Sequence, residues 1–267
     1  MLTAAVIDPI IFSFGFLTIR WYGVIFVTAV MSAIWMARIG ARHRGLDPDF
    51  VLDVGMFIVP SGIIGARLYE VFLLQWPYYR ANPGEIFALW EGGLAIHGGV
   101  LGALLVGGLY IVYRRQSFWL WADMIAPGLI LAQGIGRWGN FFNQEAYGSP
   151  APAWLVEKMP GWLREGMTIG GTVMHPTFLY ESLWNVLSFV ALFLVQRRKP
   201  QAGVVFSLYL IAYNTGRFFL ESIREDSSFI FGDIRVAQLV SAIQVVVGLG
   251  LLTFFLMRGR RRTQTEA

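Results

Sequence analysis

Apolar residues along the chain gather into seven runs of nearly membrane-spanning length. A helix needs roughly 20 such residues to cross the hydrocarbon core of a bilayer. The runs are 21–39, 51–74, 94–113, 119–136, 177–195, 203–220 and 236–257. The fourth is expected to be the weakest, because Asp123 and Pro127 interrupt it. Basic residues test the count. One set of connections carries tight clusters: Arg38, Arg42 and Arg44; Arg114 and Arg115; Arg197, Arg198 and Lys199; Arg258, Arg260, Arg261 and Arg262. The other set carries Arg20, Arg80, Lys158, Arg164, Arg224 and Arg235, spread over far more chain. Cytoplasmic loops are the ones enriched in Lys and Arg. The expected fold is therefore an all-α integral membrane protein with seven transmembrane helices, the N-terminus outside and the C-terminus cytoplasmic.

Residues 1–267 read as a single polytopic membrane domain. Residues 140–176, rich in Gly, Pro and Trp, form a small extramembrane cap on the outer side, between helices 4 and 5. Asp8-Pro9 and the apolar residues 10–17 read as a short interfacial segment on that outer surface rather than as a cleavable signal.

Composition agrees with the pattern. Hydrophobic residues make up 56% of the chain and charged residues 14%, against about 45–50% and about 25% in soluble domains. Cys is absent, which removes disulfides, thiolate metal sites and a protein cysteine nucleophile. The net charge of +4 does not signal nucleic acid, because the positive residues sit in short clusters between apolar runs.

Ionisable groups are costly inside a bilayer and mark either internal pairs or sites. Sorted by depth, almost all of them lie toward the outer face: Arg67 and Glu70 on the second helix, His97 at the start of the third, Arg137 at the end of the fourth with Asn140, Asn143 and Glu145 following. His175, Tyr180 and Glu181 open the fifth helix, and Tyr213, Asn214, Arg217 and Glu221 close the sixth, ahead of Arg224 and Asp226. Asp53 and Asp123 alone lie near inner ends. Arg67 and Glu70 at i,i+3, and Arg217 and Glu221 at i,i+4, either pair with each other or face a ligand. Arg224 fits an arginine that snorkels from a helix end. Gly98, Gly99, Gly102, Gly107 and Gly108 suit close helix packing.

Arginines and a histidine at one outer layer suit an anion, since the guanidinium fork matches phosphate oxygens and stays charged. The abundant anion at that depth is a phospholipid head group. His97, Glu145, Glu181 and Glu221 are candidate general bases. No metal-ligand spacing, phosphate-binding loop or serine nucleophile elbow is present, so neither a metal nor a cofactor is expected. A transporter or flippase for an anionic lipid remains an alternative, as does an adaptor without catalysis.

The run from Gly136 to Gly148, GRWGNFFNQEAYG, resembles the signature of the prolipoprotein diacylglyceryl transferases. Further pieces agree in order: Arg20-Trp-Tyr-Gly23, Gly65-Ala-Arg-Leu68, His97-Gly-Gly99, His175-Pro-Thr-Phe-Leu-Tyr-Glu181 and the stretch from Gly216 to Asp226. Phe178 departs from the family, which usually has Gln there. The resemblance implies transfer of the diacylglyceryl group of phosphatidylglycerol to the lipobox cysteine thiol in the signal peptide of a preprolipoprotein, forming a thioether and releasing glycerol phosphate. It implies no cofactor, and a bacterial inner membrane location with the active site toward the periplasm. Carried over by motif, His97, Arg137 and Arg217 are the expected catalytic groups. Tyr22, Arg67, Asn140, Asn143, Glu145, Gly148, Tyr213 and Glu221 are expected around the substrate.

Overall fold

The computed structural model describes residues 7–14, 17–89, 92–225, 229–231 and 234–265. Its elements follow the apolar runs: α1 (Trp21–Arg44), α2 (Phe50–Tyr69) continued by a π-turn (Glu70–Leu74), α3 (Trp76–Ala81), a 3₁₀ turn (Pro83–Phe87), α4 (Ile96–Tyr113) and α5 (Phe118–Asn143). After these come α6 (Ala153–Lys158), α7 (Gly161–Gly166), α8 (Thr177–Arg197), α9 (Val204–Glu221) and α10 (Val236–Thr265). The fold is not purely helical. Antiparallel hairpins join β1 (Ile10–Phe14) to β2 (Leu17–Arg20), β3 (Thr168–Ile169) to β4 (Thr172–Val173), and β5 (Phe229–Phe231) to β6 (Ile234–Arg235). The expected N-terminal interfacial segment is the first of these, with Phe12 and Phe14 exposed. Asp226, singled out in the sequence, lies outside the described residues.

Six helices among the described residues are long and apolar enough to cross a membrane: Trp21–Arg44, Phe50–Leu74, Ile96–Tyr113, Phe118–Asn143, Thr177–Arg197 and Val236–Gly259. The run expected to be weakest, now α5, is among them. The one that falls short is α9, which forms as a helix but carries Asn214, Arg217 and Glu221. Asn214, Arg217 and Glu221, and not Asp123 with Pro127, dilute the signal. α5 also runs on to Asn143, so Arg137, Asn140 and Asn143 belong to its last two turns rather than to a loop.

The chain contacts group into two compact units, Ala41–Trp121 and the remainder, with the divisions falling inside α1 and α5. Within Ala41–Trp121, α2 and α4 lie backbone to backbone. A Cβ on Gly65 would run into the Gly98 carbonyl oxygen, and one on Gly98 into that of Gly65. Small residues permit this approach, which lets van der Waals contact hold two helices that lipid cannot drive together. Phe50, stacked on Tyr110 and tilted on Trp121 at 4.6 Å, closes the other end of the unit.

In the remaining unit α5 is the interior helix. Its apolar window is 44% buried, against 17% for α10, which explains why it tolerates polar groups. Ala126 and Ile130 pack with Leu192, Val205 and Tyr209 from α8 and α9. Asp123, 1% exposed, accepts hydrogen bonds from the backbone N–H groups of Gly203 and Phe206, both at 2.8 Å, and so caps the start of α9. Where α5 ends and α8 begins, Phe141 and Phe178 of these helices pack with Met159, Leu163 and Met167 of the segment between them.

Candidate functional site

Glu181 is the centre of a charge cluster built from α5, α8, α9 and the turn after α9. On the first turns of α8 its carboxylate is 6% exposed and receives three guanidinium groups. Arg137 Nε lies 2.7 Å from Oε2, while Arg217 Nη1 and Arg224 Nη1 each lie 3.4 Å from Oε1. Glu221, 3% exposed, holds the second row: Arg217 Nη2 at 2.6 Å from Oε2 and Arg224 Nε at 3.8 Å. Arg235 donates to the carbonyls of Glu221 and Arg224 and fixes the turn between them. Among the described residues, Arg137, Arg217 and Arg224 share these two carboxylates.

Arg137 is the least satisfied member. Its Nε contacts Glu181, and among the described residues its two terminal amino groups meet no acceptor, while the side chain keeps 20% exposure. Glu181 therefore holds the stem and leaves the outer end of the fork open. Helical spacing does not reach Arg224, because α9 ends at Glu221 and Arg224 sits in the turn beyond it, in a bridge with Gly148. Arg224 does not snorkel, being 9% exposed and paired with Glu181 and Glu221. Glu181 is legible in the sequence only as one of several candidate bases.

The other expected residues divide. Asn140 and Asn143 donate from Nδ2 to Glu145 Oε1 at 3.0 and 3.3 Å, so the amides bind the carboxylate rather than the arginines. Gln144 and Ala146, on either side of Glu145, both have left-handed backbone, φ 51° and 55°. Such non-glycine conformations are uncommon and turn Glu145 outward. Gly148 threads between two segments: its N–H donates to His175 O at 3.1 Å, Ser149 N donates to Ile223 O at 2.8 Å, and a Cβ on Gly148 would meet Ile223 O at 2.8 Å. This bare backbone ties the turn carrying Arg224 to the segment leading into α8. Tyr22, half exposed at the start of α1, lies where a Cβ on Gly139 would meet its ring at 2.9 Å. Tyr213 stacks on Tyr209 with centroids 6.0 Å apart.

Arg67 and His97 belong to the other unit. Arg67 is 6% exposed and does not pair with Glu70, which instead accepts from Gln75 Nε2 at 2.8 Å. His97 is exposed, with its ring 6.0 Å from that of Tyr69. Outside the helices, burial pushes the His175 imidazole below its ordinary value; its Nδ1 lies 3.3 Å from the Tyr180 hydroxyl.

Apolar helices of spanning length define a multi-pass membrane protein, in which three arginines gather on two buried carboxylates. The sequence places it further. The model of the prolipoprotein diacylglyceryl transferase family matches residues 9–254, and the chain belongs to that family. The phosphatidylglycerol–prolipoprotein diacylglyceryl transferase of Symbiobacterium thermophilum is 62% identical over 254 residues, 95% of each chain. The protein of the same name from Oceanobacillus iheyensis is 44% identical over 99% of this chain and 92% of its own. That from Bacillus velezensis is 42% identical over 95% and 94%.

Proposed function

We propose that this chain transfers the diacylglyceryl group of phosphatidylglycerol to the lipobox cysteine of preprolipoproteins, the first step of bacterial lipoprotein maturation. The substrate thiol loses its proton, and its sulfur attacks the glycerol carbon that carries the phosphate. A C–S bond forms, the C–O bond breaks, and glycerol phosphate leaves with the electron pair. A free thiol has a pKa of roughly 8.5, so a base or a positive field must favour the thiolate. Charge then grows on the departing phosphate, where fixed cations act most strongly.

The observation that carries this reading is the open end of Arg137, held by Glu181 beside Arg217. A phosphodiester fits against that open end, and the phosphomonoester that leaves fits better still because its charge is greater. Arg137 and Arg217 are assigned to the phosphate, with Glu221 orienting Arg217. Asn140, Asn143 and Glu145 form a polar rim for the head-group hydroxyls, and Tyr22 and Tyr213 line the approach. A groove of about 430 Å³ between Trp21, Ile25, Ile135, Trp138, Ser182 and Val186 supplies an apolar wall for an acyl chain. His97 is assigned thiol activation on its motif and its exposed imidazole. Topology belongs to the same reading: seven crossings, with α9 the polar one, the N-terminus outside, and the reaction at the periplasmic face of the inner membrane.

Transport of an anionic lipid would need polar groups in the inner half as well. The acidic groups expected there are engaged structurally, Asp53 with Arg114 at 3.4 Å and Asp123 on the start of α9. The deciding experiment incubates the purified protein with a lipobox peptide and phosphatidylglycerol and weighs the peptide. A gain of one diacylglyceryl group supports the reading; lipid movement between leaflets without adduct overturns it.

A further inference from the structure

Arg67 is expected from its motif to face substrate, yet its surroundings assign it another task. A guanidinium has five N–H donors in a rigid fork, and all five meet backbone carbonyl oxygens. Nε donates to Ile86 O at 2.9 Å, Nη1 to Gly92 O at 2.7 Å and Gly93 O at 2.9 Å, and Nη2 to Ala88 O at 3.3 Å and to Glu85 O. The Tyr79 ring covers the guanidinium face at 5.0 Å. Nothing on this fork remains for a phosphate.

The bonded carbonyls belong to residues 85–88 and 92–93, which precede α4. Just beyond them, Ala95 N–H donates to Ala66 O at 3.2 Å, and α4 opens at Ile96 with His97 second. The neighbour of Arg67 thus anchors the segment that leads directly into His97. Gly93 completes the arrangement. It has φ +70°, and a Cβ there would meet Arg67 Nη1 at 2.6 Å and the Tyr79 hydroxyl at 2.8 Å. Backbone conformation and close approach both demand glycine at this point.

We propose that Arg67 is a positioning residue: by binding five carbonyls of the segment before α4, it sets the place of His97 and makes no contact with the lipid phosphate. The proposal rests on the role given to His97 above. Its structural half stands independently, because the fork and its acceptors lie within one compact unit.

The natural absence of Cys allows a direct test. Ala88 is 6% exposed. The Ala88→Cys variant of the full-length protein is reconstituted in vesicles, and its rate of maleimide labelling is read with and without Arg67→Ala. Release of the segment is expected to raise the labelling rate on the order of a hundredfold as the thiol becomes accessible. In the parent background, Arg67→Ala, Arg67→Lys and Gly93→Ala are compared by kcat and by KM for phosphatidylglycerol. Misplacement of a reacting group costs up to about a hundredfold in rate. The expected result is that loss in kcat with KM nearly unchanged, Lys as poor as Ala because an ammonium has three donors, and Gly93→Ala close behind. A rise in KM with Lys partly active, and unchanged labelling at position 88, would mean direct phosphate contact and overturn the proposal. Faster labelling with unchanged kcat would reduce Arg67 to a fastener and overturn it equally. If Arg67→Ala does not fold, Arg67→Lys and Gly93→Ala decide. Absence of any thioether product in the parent protein would defeat the transferase reading alone, since the labelling arm reads the segment without catalysis.

Discussion

Arg67 and Arg137 share a residue type and the same expected depth, and they end in opposite circumstances. Arg67 is 6% exposed, with every donor on a carbonyl oxygen. Arg137 keeps 20% side-chain exposure, one carboxylate on Nε and two open amino groups among the described residues. Burial alone therefore does not mark a binding arginine. What separates them is the acceptor. Carbonyl dipoles of one's own backbone satisfy a guanidinium completely and leave it structural. At Arg137 one carboxylate takes the Nε edge and, among the described residues, leaves the two terminal amino groups without an acceptor.

The largest effect that tests this contrast is at Arg137. Arg137→Ala is expected to lower turnover by on the order of a hundredfold to a thousandfold, the usual loss when a preorganised donor to a developing oxyanion is removed. Arg137→Lys is expected to recover little, because a point charge does not reproduce the fork. The measurement is release of glycerol phosphate at saturating lipid. If either variant keeps near-normal turnover, Arg137 is as structural as Arg67 and the contrast collapses.

The next effect is at the carboxylate that makes Arg137 what it is. Glu181→Gln leaves Arg137, Arg217 and Arg224 facing a neutral amide. Removing one partner of a buried ion pair costs about 3–5 kcal/mol, so a large fall in thermal midpoint is expected in detergent. Added phosphatidylglycerol should then stabilise the variant more than the parent, since the anion takes over as counter-charge. Equal stabilisation of both would show that lipid does not bind at this cluster. No residue in the Arg67 pocket offers a parallel test, because carbonyl oxygens cannot be removed by substituting side chains.

How far the sequence carries the reader differs between the two regions for a physical reason. Apolar periodicity and spacing are local, so α1, α2, α4, α5, α8 and α10 and the 217–221 ion pair are all visible in the chain order. The role of Arg67 depends on residues 18 to 26 positions away, and no local pattern marks a carbonyl as an acceptor. Glu181 gathers arginines from 36 to 44 positions away, so its place at the centre cannot be told in the sequence from that of Glu145 or Glu221. The sixth run is apolar in its first half, and its polar second half is what keeps α9 below the apolarity of the others. The short hairpins escape because two to five residues leave no period to detect.

Gly148 gives a smaller effect and sharpens the geometry. A Cβ there would meet His175 Cβ at 2.7 Å and Ile223 O at 2.8 Å. Gly148→Ala must therefore push back the turn that presents Arg224. Overpacking of this kind costs about 1–3 kcal/mol. The expected outcome is a moderate loss of stability with a larger fractional loss of turnover, and partial recovery of stability when phosphatidylglycerol is added. An unchanged kcat would show that the Arg224 turn moves freely without consequence for the site.

The smallest expected effect concerns His175, on the segment that Gly148 binds. Burial lowers its pKa from the ordinary 6.5, so the folded protein favours the neutral ring while the unfolded chain takes up a proton near that ordinary value. Its contribution to stability is then complete above pH 6.5, declines below it, and is lost as pH falls through the lower folded value. Between about pH 8 and about pH 5 the parent should lose thermal stability relative to His175→Gln, by no more than about 2 °C given the ring's partial exposure. The Arg67 segment has no titrating group among its acceptors, so in Arg67→Lys the pH slope should match the parent. A steeper slope in His175→Gln than in the parent would reverse the sign and show that the protonated ring is the one the fold holds.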